Sequence, residues 1–92
     1  MIIEMITNYE GESTLSAFEA STLLEVQSEI EEYTGEVVSE EELESLETGA
    51  GSIYVANYFV ALGQPQYWIF RKTTKEAYNA RVMEEMQAKL LK

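Results

Sequence analysis

The chain has no cysteine, no histidine and no aspartate, a single proline, and no lysine or arginine before position 71. Without cysteine there are no disulfides and no thiolate metal sites. Without histidine there is no side chain that titrates near neutrality in its ordinary state. Without cysteine, histidine or aspartate, Ser–His–Asp and Cys–His nucleophilic arrangements cannot be assembled. An EF-hand loop starts on aspartate, so that calcium motif is missing too. Met1-Ile-Ile-Glu lacks the basic start of a secretory signal. The expectation is a soluble, cytoplasmic protein that uses no cofactor and no metal and is not an enzyme.

What is present is glutamate. All 17 acids are Glu, and six basic residues leave a net charge of −11 over 92 residues. The distribution is lopsided. Residues 1–47 carry 14 Glu and no cation, whereas residues 71–92 carry all six cations and three Glu. Between them, residues 48–70 hold no charge and six of the ten aromatic residues: Tyr54, Tyr58, Phe59, Tyr67, Trp68 and Phe70. This stretch is long enough to span a bilayer, which needs ~20 apolar residues. Asn57, Gln64, Pro65 and Gln66, with three glycines, argue against a span. Ninety-two residues at 46% hydrophobic composition fit one domain, 1–92, with a modest core.

Periodicity places the elements. Residues 2–9 alternate as a strand with Ile3 and Met5 on one face, and Glu10-Gly11-Glu12 breaks it. Residues 14–34 read as the longest helix, with Leu15, Leu23, Val26, Ile30 and Tyr33 in one stripe and Phe18 at its edge. Ser13 or a box at Ser16 and Glu19 caps its start, and Gly35 ends it. Ser39 with Glu42 forms a capping box for a short helix that turns Leu43 and Leu46 inward and stops before Gly49. Residues 52–62 and 66–72 read as a hairpin around Gly63, Gln64 and Pro65, with a helix over 52–62 as the competing reading. Both faces of 52–62 are apolar, which predicts a central or covered strand. Thr73 with Glu76 caps a last helix over 75–91, with Tyr78, Val82, Met86 and Leu90 four apart. The order is β-α-α-β-β-α, an α+β fold in which helices pack on an antiparallel sheet.

The acidic run is the strongest functional feature. Glu25, Glu29, Glu31, Glu32, Glu36, Glu40, Glu41, Glu42, Glu44 and Glu47 fall within 23 residues, with no Lys or Arg among them. Glu25, Glu29 and Glu32 share one helix face, and Glu40, Glu44 and Glu47 share another. Acids at that spacing stand ~5–6 Å apart and repel, at a cost of a few tenths of a kcal/mol per pair. Consecutive Glu40, Glu41 and Glu42 point about 100° apart on a helix and do not converge on one cation. Two rows of carboxylates resemble a phosphate backbone in carrying regularly spaced negative charge. The competing explanation is a solvated face, as in a salt-tolerant host. Glu pairs for glycoside chemistry need a cleft that a domain this small is poorly suited to form.

A field of this sign repels nucleic acid and anionic membranes and attracts basic proteins. In size, charge and lack of catalytic side chains the chain resembles the small acidic inhibitors of phages and mobile elements, of the anti-CRISPR and anti-restriction type. That resemblance of class implies a basic nucleic-acid-binding partner, such as a nuclease or CRISPR effector. The expected contact residues are the Glu25, Glu29, Glu32, Glu36, Glu40, Glu41, Glu44 and Glu47 carboxylates, with Tyr67 and Trp68 as apolar anchors. Arg71, Lys72 and Lys75 beside these two aromatics also form a basic-aromatic cluster of the kind that stacks on bases, but the −14 carried by residues 1–70 opposes it. The alternative is an assembly module that dimerises through the central aromatic segment and the last helix.

Overall fold

The computed structural model describes residues 1–49, 51–59 and 64–90. Strand β1 (Ile2–Tyr9) turns through Glu10 and Gly11, both at positive φ (55° and 81°), into β2 (Glu12–Glu19). Helices α1 (Leu23–Thr34) and α2 (Glu40–Thr48) follow, then β3 (Ile53–Phe59), β4 (Gln64–Thr73) and α3 (Lys75–Leu90). All four strands form one antiparallel sheet in the order β2-β1-β4-β3. The α+β class holds, with the order β-β-α-α-β-β-α.

The added strand comes from the first half of the expected 14–34 helix. Glu12–Glu19 pairs with β1 along its whole length, from Tyr9 opposite Glu12 to Ile2 opposite Glu19. A two-residue turn with positive φ at both positions matches the twist of paired strands, and this decides the segment for a hairpin. Period-2 alternation then puts Phe18 on the core side, edge-on to Phe70 at 6.4 Å, with Leu15 and Ala17 on the other side. The helix therefore starts late. Thr22 caps it by accepting from the Glu25 N–H at 3.2 Å, and Glu25 Oε2 accepts from the Ser21 N–H at 2.7 Å. The proposed Ser16–Glu19 box lies inside a strand, and α3 is the longest helix.

Other expected boundaries stand. Gly35 ends α1 at φ 78° and donates to Glu31 O, and Ser39 caps α2 by accepting from Glu42 N–H at 3.2 Å. The last helix is capped by Thr74 rather than Thr73, since Thr74 Oγ1 accepts from Ala77 N–H at 3.1 Å. Gln64 and Pro65, expected in the hairpin's turn, instead open β4, with Pro65 opposite Tyr58, while Gly63, the expected strand end at Leu62 and Leu91 lie outside the described residues.

Helices α1 and α2 cover one sheet face. Ile3, Met5, Ile53, Val55, Trp68 and Phe70 from the strands meet Val26, Ile30, Leu43 and Leu46 from the helices in one core. Gln27 Nε2 donates to Val38 O at 2.9 Å, and Asn57 Nδ2 donates to Thr34 O at 2.7 Å, which fixes α1 to the segment connecting it to α2 and to β3. Helix α3 lies on the opposite face and has no fully buried residue. Strand β3 is at the sheet edge rather than central, and only its Ile53 and Val55 face is covered, since alternation leaves Tyr54 60% exposed on the other.

Candidate functional site

The outer surface of α1 and α2 brings the acidic run together. The inward stripes of both helices are fixed by Val26, Ile30, Leu43 and Leu46, so their glutamates are directed away from the sheet. Glu29 is half-buried, and Glu25, Glu31, Glu32, Glu36, Glu40, Glu41, Glu42, Glu44 and Glu47 are exposed. Glu25 and Glu42 also have local work: Glu25 caps α1, and Glu42 Oε1 accepts from the Ser39 hydroxyl at 3.3 Å. Among the described residues none of the ten is paired with a cation, because every ion pair ends on Glu4.

Placement within the helices is as informative as number. Neither α1 nor α2 has a basic residue in its last turn, and Glu31, Glu32 and Glu47 stand there instead. The C-terminal end of a helix carries partial negative charge, so an acid there costs roughly 0.3–1 kcal/mol. Lys72 Nζ reaches the α2 end and donates to Glu47 O at 2.9 Å, partly offsetting that charge. No such cation reaches the end of α1 among the described residues.

Between the first halves of these helices lies a groove of about 240 Å³, lined by Leu23, Leu24, Gln27, Glu40, Leu43 and Glu44. The helical stripe in the sequence points to Leu23 and Leu43 as inward, but Leu24 falls outside the stripe and is 72% exposed. An exposed leucine beside a row of acids is the one sequence signal that could have marked the groove.

The expected anchors separate. Trp68 is 3% exposed and belongs to the core, so it does not present a surface contact. Tyr67 is half-buried on the opposite sheet face and stacks on Tyr54 at 6.0 Å. The basic-aromatic cluster is not assembled either. Arg71 projects from the face opposite Trp68 and donates to Glu4 Oε2 through Nε at 3.0 Å and Nη2 at 2.6 Å.

Glu4 is the feature that sequence reading passed over. It is 1% exposed, directly opposite Arg71 in the β1–β4 register, and on the face that α3 covers. Arg81 of α3 donates to the same Oε2 through Nη1 at 3.1 Å, and its Nε approaches Oε1 to 3.1 Å without hydrogen-bond alignment. A carboxylate shared by two guanidiniums is a clamp that holds α3 to the sheet, because a buried charge must be paired to be tolerated. The Tyr9 hydroxyl is raised above its ordinary value, first by burial and then by neighbouring Glu10, and so stays protonated at neutral pH.

Among the described residues no three carboxylates converge to hold a metal ion, and no helix is long and apolar enough to cross a membrane. No family model matches this chain, and neither does any curated protein or solved structure.

Proposed function

We propose that the chain is a non-enzymatic inhibitor or regulator whose α1–α2 face docks into the phosphate-binding groove of a basic, nucleic-acid-handling protein. The partner class is a nuclease or CRISPR effector, and the biological setting is a phage or mobile element. The reading rests on one observation: adjacent helices present exposed carboxylates that are unpaired among the described residues and extend into last turns where they cost stability. A surface selected only for solubility gains nothing from placing acids at helix C-termini. A surface selected to occupy a phosphate site gains affinity from each one.

The test is the triple substitution Glu40→Gln, Glu41→Gln and Glu44→Gln. These side chains are exposed and outside the core, so the fold is retained. Affinity for the captured partner should fall, and so should the dependence of affinity on salt. Unchanged affinity in the triple variant would sink the reading.

A second reading has its own observation. Met83, Met86 and Leu90 of α3 are 61%, 59% and 83% exposed, and Tyr54 and Ile69 are open on the sheet face beneath. An assembly module pairing through this side would bury them. Sedimentation across a broad concentration range decides it, and a monomer throughout removes it.

A further inference from the structure

The α1–α2 groove has two chemically distinct parts. Leu23, Leu24 and Leu43 form an apolar floor, while Glu40 and Glu44 stand one helical turn apart on one wall. Gln27 commits its Nε2 to Val38 O, which leaves its carbonyl oxygen as an acceptor beside them. The partial positive charge at the α2 N-terminus is already met by Ser39 and by Glu40, Glu41 and Glu42 of the first turn. An anion entering here meets two carboxylates. A purely apolar group desolvates them with nothing in return. The occupant that suits both parts has an apolar stem and a cationic head.

Resting on the reading of this face as a docking surface for a basic protein, we propose that the groove takes one arginine side chain of that partner. Its methylenes lie on the three leucines. Its guanidinium sits between Glu40 and Glu44, since a planar fork of five donors can engage two carboxylates and an amide oxygen at once, which a lysine ammonium does less well. The wider acidic field then provides attraction, and the groove provides register and side-chain preference.

The experiment uses two peptides of equal length and charge. One is oligoarginine; the other carries the same guanidinium on a stem shortened to a single methylene. Both are titrated into the full chain by calorimetry. Oligoarginine should bind about tenfold more tightly, the value of two methylenes withdrawn from water. In Leu24→Ser, which keeps every charge, the two affinities should converge. Backbone amide shifts should move at Leu23, Leu24, Gln27 and Leu43. Equal binding of both peptides to the wild-type chain, or a preference that survives Leu24→Ser, overturns the groove and leaves the acidic face standing. Failure of both peptides to bind overturns the groove and the acidic face together.

Discussion

Glu4 shows how one residue can carry the attachment of an element. It is the lone charge in IIEMI, and its register position opposite Arg71 puts it beneath α3 within reach of Arg81. Replacing it with glutamine keeps the shape and removes the charge that both guanidiniums share. Glu4→Gln should therefore lower stability by about 1.5–3 kcal/mol, the scale of hydrogen bonds to charged groups. Urea denaturation followed by circular dichroism reads this, and an unchanged midpoint contradicts the clamp. Gly35 is a second such position. Its φ of 78° is strained for any residue with a Cβ, so Gly35→Ala should cost about 1 kcal/mol in the same assay.

At the scale of elements, α3 differs from α1 and α2. The latter two contribute Val26, Ile30, Leu43 and Leu46 to the core, whereas α3 has no fully buried residue and is fixed by Arg81 to Glu4. Elements with few buried contacts open below the global unfolding free energy. Amides of α3 should exchange with solvent well before those of β1 and β4. Arg81→Ala should speed α3 exchange further while leaving the sheet protected. Equal protection of α3 and the sheet would show that other contacts hold the helix. Much of this architecture is legible in the sequence. Gly35, the Ser39–Glu42 box and the inward pairs Val26 with Ile30 and Leu43 with Leu46 are local signals, and the structure uses each as expected. Glu12–Glu19 was not legible as a strand, because Leu15 and Phe18 also fit a helical stripe and the deciding facts are the Glu10–Gly11 turn and pairing with β1. The edge position of β3 was hidden for a related reason, since an aromatic, uncharged stretch reads as buried on both faces. Trp68 follows from alternation only once its register with Val55 and Thr7 is known. The acidic face was legible as charge, but the groove within it depends on how α1 and α2 meet.

The whole molecule carries −11, concentrated by the fold on the side of the sheet covered by α1 and α2. Crowded like charges destabilise the compact state, and salt screens them within ~8–10 Å at physiological strength. The melting temperature should therefore rise with added sodium chloride. The Glu32→Gln and Glu47→Gln variant, which removes acids from the last turns of α1 and α2, should lose partner affinity while being no less stable than the wild-type chain, and its melting temperature should respond less to salt. Such opposition between function and stability marks a surface kept for binding. A variant that loses stability in proportion to affinity would instead make these glutamates part of the scaffold.

The most direct measurement is capture of a partner on the immobilised chain from a lysate of the source organism, eluted first with duplex DNA and then with salt. A docking surface that stands in for phosphates predicts a basic nucleic-acid-binding protein that DNA displaces at low salt and that the triple glutamine variant fails to retain. A partner that resists both DNA and salt, or one that the variant holds equally well, would contradict the account and move the function to the exposed Met83, Met86 and Leu90 side of the molecule.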